Sequence, residues 1–162
     1  MSASTPPKSP ALDPATVPLW TESDYPEVFR GLVAGQERRR LGDALGLRNF
    51  GVNLVRLPPG CASSQRHWHT RQDEFVYMLE GELTLVTDAG EQRLTAGMAA
   101  GFSAGRPDGH HLVNRSGRDA LFLEIGDRAP GDEGEYPDID MIWRTVDGDQ
   151  RYVYLHKDGT PY

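Results

Sequence analysis

The stretch His67-Trp68-His69-Thr70-Arg71-Gln72-Asp73-Glu74-Phe75-Val76-Tyr77-Met78-Leu79-Glu80-Gly81 decides how this chain folds. Its two leading histidines are two residues apart. On a strand that spacing puts both imidazoles on one face. Two neutral imidazoles on one inward face make a poor core and half of a metal site. Glu74 follows after a bend and opens a segment that is apolar at every position from Phe75 to Leu79. Such a run suits a central strand covered by a barrel core on one side and by a partner sheet on the other. Glu80-Gly81 then supplies a hairpin turn.

The β pattern continues outward from this stretch. Upstream, Phe50 to Leu57 reads as a strand ending at the turn Pro58-Pro59-Gly60. Downstream, strands are expected at Leu83–Thr87, Gln92–Leu94, Met98–Ser103, His110–Asn114 and Leu121–Ile125. Turn signals recur at roughly ten-residue intervals, which points to an all-β antiparallel sandwich or barrel.

The flanks are less regular. Residues 1–24 form a Pro-rich stretch, with Pro6, Pro7, Pro10, Pro14 and Pro18, and read as a flexible arm able to lie along a neighbouring subunit. Between Val28 and Leu47 a short strand or irregular hairpin fits as well as a helix. Arg38-Arg39-Arg40 reads there as a solvated face or edge, with steering of an anionic ligand as the less favoured alternative. Residues 129–162 form a C-terminal extension expected to pack on the barrel or on a partner. It has a loop at Pro130–Gly134, polar–apolar alternation over Asp138–Trp143 and a last strand at Arg151–Leu155. The barrel with its leading strands thus occupies residues 25–128.

The chain of 162 residues has a formal net charge of -7. An acidic chain is unsuited to phosphate backbones and to anionic membrane surfaces, so neither nucleic acid nor membrane is expected as a partner. Cys61 is the only cysteine, which excludes an intrachain disulfide. It reads as a small core or loop residue, with a thiol at the mouth of a site as the alternative. Met1 to Pro18 has neither the apolar run of a signal peptide nor that of a membrane span, so the expected compartment is the cytoplasm.

A second histidine pair, His110-His111, begins another short strand, and a barrel can set it beside His67 and His69. A lone histidine is more often a surface or satisfied core residue. Here the period-two pair, a carboxylate on a buried strand and the distal pair all agree, because an unpartnered buried carboxylate is costly. At this level the fourth donor is open between His110 and His111.

The segment Gly60 to Gly81 resembles the first motif of the cupin superfamily: Gly, a short spacer, His-x-His, three or four residues, Glu, six residues, Gly. Its first spacer is six residues rather than five. Gly101-Phe-Ser-Ala-Gly-Arg-Pro107-Asp-Gly109-His110-His111-Leu-Val-Asn114 resembles the second motif, two residues short before its histidine. Counting back from Asn114 selects His110, which then shares a face with Leu112 and Asn114, while His111 faces with Val113. The wider pattern is similar to small bacterial single-domain cupins. The resemblance implies a double-stranded β-helix, or jelly-roll barrel, over residues 45–128. It also implies one metal held by His67, His69, Glu74 and His110.

Nitrogen and oxygen donors without thiolate fit a divalent transition metal such as Fe, Mn, Ni, Cu or Zn. The ion would keep two positions open for a bidentate oxygen ligand. The family implies lyases, isomerases and dioxygenases acting on small organic molecules, and also binding proteins. The leading expectation is a metal-dependent small-molecule enzyme; the alternative is a non-catalytic binding or sensing module. Tyr77 and Arg106 are loose acid–base candidates only. The two-sided apolar strand at Glu74–Leu79 further predicts a homodimer.

Overall fold

The computed structural model describes residues 10–146 and 151–162. Its strands, in chain order, are β1 (Leu19–Trp20), β2 (Glu37–Arg40), β3 (Phe50–Leu57), β4 (Trp68–His69), β5 (Glu74–Glu80), β6 (Glu82–Thr87), β7 (Gly90–Thr95), β8 (Ala99–Phe102), β9 (His111–Val113), β10 (Ala120–Asp127), β11 (Glu133–Tyr136), β12 (Met141–Val146) and β13 (Arg151–Leu155). They form a six-stranded sheet ordered β1-β2-β3-β10-β5-β8, a three-stranded sheet β7-β6-β9 and a four-stranded sheet β13-β12-β11-β4. The strand pairs are antiparallel. The antiparallel sandwich or barrel expected from the spacing of turns is a jelly roll, as the family resemblance implies.

Alternation builds the core. Val55, Leu57, Val76, Met78 and Phe122 point inward from the large sheet and meet Leu83, Leu85, Leu94 and Leu112 of the three-stranded sheet. Strand pairing sets inward side chains in rows: Arg38, Val55, Phe122 and Met78 form one, Arg40, Asn53, Glu124 and Val76 the next. Glu74 lies one row further, beside Gly126. The β5–β6 hairpin turns at Gly81, whose φ is 74° and where a Cβ would meet the Asp119 carbonyl oxygen at 2.7 Å. Both the left-handed backbone and the close approach require glycine there.

Several expectations change in detail. Residues 1–9, with Pro6 and Pro7, lie outside the described residues. In the remainder of the stretch read as a flexible arm, Pro14–Thr16 form a 3-10 turn and Leu19–Trp20 pair with Arg39 and Arg38. The arginine run is a strand, and a period of two cannot keep three consecutive side chains on one face. Arg38 and Arg40 turn inward, while Arg39 donates to the Val17 carbonyl. Asp138–Asp140 form the turn before β12 rather than part of a strand.

The C-terminal extension is integral to the fold. β11 pairs with β4, Gly134 opposite His69. A second core of Tyr136, Met141 and Trp143, packed against Tyr25, Phe29 and Tyr154, joins the extension to the N-terminal segment. Gly134 lets this happen: a Cβ there would lie 1.7 Å from Trp143 Nε1. Among the described residues, no helix is long and apolar enough to cross a membrane.

Candidate metal centre

His67 and His110 exchange both backbone hydrogen bonds, at 3.2 and 2.8 Å, as an isolated antiparallel bridge. The bridge fixes two distant segments side by side and brings His110 to the same wall as the His-x-His pair. Glu74 enters from the start of β5. One donor atom from each of His67, His69 and Glu74 lies within 4.8 Å of the others. Glu74 Oε2 stands 3.4 Å from His69 Nε2, 3.6 Å from His67 Nε2 and 2.8 Å from His110 Nε2.

The imidazoles are oriented by what their other nitrogens do. His67 Nδ1 donates to the Gln65 carbonyl at 2.9 Å. His69 Nδ1 donates to Asp132 Oδ2 at 2.6 Å. Both Nε2 atoms are thereby left to face one another, 3.2 Å apart. Two lone pairs cannot meet at that distance without a cation between them, so a proton or a metal ion is required. In the metal-free protein the proton belongs to His69. Burial opposes its charge, but Asp132 and Glu74 outweigh burial and push its pKa up to about 10. Burial dominates at His67 and pushes it down to about 4, against the pull of Glu74. Burial also opposes the Glu74 charge, yet hydrogen bonds from His110 and His69 hold that carboxyl well below the usual range. A neutral imidazole, an imidazole poised to release its proton and an ionised carboxylate, converging on one point, form a donor set that fits a divalent transition ion.

His110 takes part differently from the other three. Its ring is stacked on Phe102 at 3.6 Å, it touches Glu74 through Nε2, and its buried Nδ1 has no partner among the described residues. It lies beside the three-residue cluster rather than within it. His111 donates from Nδ1 to the Ser64 carbonyl at 3.1 Å, and burial lowers its pKa.

Of the looser candidates, Cys61 is a core residue whose thiol donates to the Ala34 carbonyl, and burial raises its pKa. A thiol at the site mouth is excluded by that placement. Tyr77 points to the outer face of β5, 39% exposed and away from the histidines. Arg106 lines a cleft of about 40 Å³ behind the cluster and faces Asp108 at 3.6 Å.

Two residues of the site escape a reading by spacing. Asp132 is wholly buried and accepts from His69, from the Arg71 and Gln72 amides at 2.7 and 3.2 Å, and from the Thr70 hydroxyl at 3.3 Å. It sits in a loop 63 residues from His69 along the chain, and nothing local in the sequence couples the two. Glu124 had a signal: it is the one charge inside the apolar run Leu121–Ile125. It opens into a cavity of about 430 Å³ whose walls also include His67, His69, Glu74, Arg38 and Tyr152.

The pattern of the cupin domain family matches residues 53–126. No curated protein matches the chain by sequence. A solved structure described as a sugar phosphate isomerase from a cupin superfamily, from Silicibacter pomeroyi DSS-3, is 43% identical. The match covers 94% of this chain and 96% of that one, with a TM-score of 0.89. A proposed sugar phosphate isomerase from Acidithiobacillus ferrooxidans is 26% identical, covering 78% of this chain and 80% of that one, TM-score 0.70. The polyketide cyclase RemF from Streptomyces resistomycificus shares the fold at 21% identity over 72% of this chain and 78% of that one, TM-score 0.59.

Proposed function

The chain belongs to the cupin superfamily, and from that premise we propose that it is a metal-dependent isomerase interconverting an aldose phosphate and its ketose. His67, His69 and Glu74, with His110 as fourth ligand, are the residues that hold the ion. When bound, a divalent cation supplies Lewis acidity, polarising a carbonyl and the adjacent hydroxyl of the substrate.

The observation that carries the reading is Glu124. It lies directly opposite Val76, whose neighbour on the same face of β5 is Glu74. A carboxylate one strand away from the ligands, in the same cavity, is placed to move a proton between adjacent carbons. Arg38 holds it by a 3.0 Å ion pair. In the forward direction the C2 proton passes to Glu124, the electron pair it leaves forms the C1–C2 double bond, and the C1=O1 π pair moves onto O1, giving an enediolate. Glu124 returns the proton to C1, while the O2 proton moves to O1. Hydrogens and electrons balance without an oxidant. The description of the 43% identical Silicibacter pomeroyi protein as a sugar phosphate isomerase supports the same class.

The test measures aldose–ketose interconversion by the metal-loaded protein on four- to six-carbon aldose phosphates in deuterated water. Glu124→Gln should keep its metal and lose about 10²–10⁴-fold in turnover, the range for a general base. Wild-type turnover in that variant would remove Glu124 from the role. Ligand binding without turnover of any of these substrates would favour a binding module instead.

We further propose that two copies pair through the outer face of the large sheet. Phe75, Tyr77 and Leu79 of β5 are exposed, and Leu123 and Ile125 of β10 and Val52 and Leu54 of β3 share their face. An apolar sheet face of this kind is self-complementary under a two-fold axis.

A further inference from the structure

The cavity that contains the metal ligands also holds a pair of arginines, of which Arg38 only steadies Glu124 in the isomerisation step and Arg40 has no part in it. Arg38 and Arg40 project inward from β2 at the opposite end of the sheet from Glu74. Arg40 is stacked over Trp20, its guanidinium carbon 4.2 Å from the ring centroid, and no ion pair holds it among the described residues. Arg38 gives one N–H to Glu124, while its buried Nε finds no acceptor among the described residues. A buried charged donor left unpaired is costly and calls for an explanation. Both guanidiniums and the Tyr152 phenol line the same cavity; burial and Asp24 raise the pKa of that phenol while the two arginines draw it down.

We propose that Arg38 and Arg40 form the recognition site for a phosphate monoester on the substrate, at the far end of the cavity from the metal ligands. This rests on the isomerase reading for the identity of the substrate and not for the existence of the site. Each guanidinium carries five N–H donors in a fork that matches phosphate geometry. Alternate strand positions put the two forks on one face, so they can grip a single anion from two sides. Besides Glu74, the carboxylates that line the cavity are Glu22, Asp24 and Glu124. Glu124 occupies only one Arg38 donor, and the rest remain for a ligand.

The spacing selects the substrate size. Arg40 and Glu74 are three strands apart across the sheet and one row apart along it, which sets their Cα positions about 16 Å apart. Long side chains reach inward from both ends. The gap left suits an extended five- or six-carbon chain with its carbonyl at the histidines and its phosphate at the arginines. Glu124 then lies between the two ends, beside the reactive carbons.

The test is calorimetric and needs no turnover. The full-length protein is titrated with ribitol 5-phosphate, ribitol, ribonate and inorganic phosphate. Wild type should bind ribitol 5-phosphate at least tenfold more tightly than ribitol, and Arg40→Met should abolish that preference while ribitol binding stays the same. Arg40→Lys, which keeps the charge but loses the fork, should retain only part of it. Arg38→Gln strips Glu124 of its partner. If it fails to fold, the pair is removed together in Arg38→Gln/Glu124→Gln, which should also lose the preference. Equal affinity for ribitol and ribitol 5-phosphate in wild type would overturn the proposal. So would tighter binding of ribonate, or a phosphate preference undiminished in both Arg40 variants. A preference that depends on both arginines in a protein that isomerises nothing would support the phosphate site while sinking the isomerase reading.

Discussion

Asp132→Asn isolates the contribution of the C-terminal extension to the metal centre. The native carboxylate accepts from His69 Nδ1 with one oxygen and from two backbone amides and Thr70 with the other. An asparagine keeps an acceptor for the amides by turning its carbonyl oxygen toward them. Its NH2 then faces His69 Nδ1, where a donor meets a donor. The imidazole resolves the conflict by moving its proton to Nε2, the atom that must face the ion. The fold loses one charge-assisted hydrogen bond, about 1.5–3 kcal/mol. The metal loses a pre-set ligand, which at such positions lowers affinity about 10–100-fold, or about 1.4–2.8 kcal/mol. The assay is competition against a chelator of known affinity, with bound metal quantified by mass spectrometry and folding followed by thermal melting. A variant that melts lower but binds metal as tightly as wild type would refute the orienting role and leave Asp132 a purely structural residue.

Metal affinity should depend on pH through His69. Its pKa of about 10 means that the ion displaces a proton at every pH below that value, so affinity falls about tenfold per unit as pH falls. His67, at about 4, adds a second competing proton only below that pH. One proton released per ion near neutrality, measured in weakly buffered solution, is the expected result; none released would contradict it. Phe122→Ala removes the largest side chain of the wholly buried core and should cost about 3–5 kcal/mol, lowering Tm by about 10 °C. A change of under about 1 kcal/mol would mean that the sheets collapse around the void. Leu123→Glu should convert a dimer to a monomer in light scattering, with the melting profile retained. A wild type that is already monomeric would end the dimer proposal.

How much of this was legible beforehand depends on the range of the interactions. Strand positions at Phe50–Leu57, Leu83–Thr87 and Leu121–Ile125 follow from alternation and turn residues, both local, and their ends shift by only a residue or two. His67, His69 and Glu74 were legible because period two and a short spacing bring them together within one segment. His110 required the resemblance, since spacing alone leaves it open against His111. From composition alone the arginine run is a solvated face or edge, because composition carries no direction. Only the β2–β3 register turns Arg38 and Arg40 into the cavity. Glu124 is a charge in an apolar strand that the sequence analysis does not single out, and only the pairing of β10 with β5 sets it beside the donor set.

What the sequence by itself determined is therefore the class of fold and the core of a donor set, because both are written in short-range periodicity. The tertiary structure decided what surrounds that set. It brought Asp132 to His69 from 63 residues away, and it wrapped the C-terminal sheet and the N-terminal segment over the barrel mouth to make the cavity. The physical reason is that hydrogen-bond partners and cavity walls come from strand pairing between distant segments. Pairing of that kind leaves no mark on the spacing of residues along the chain.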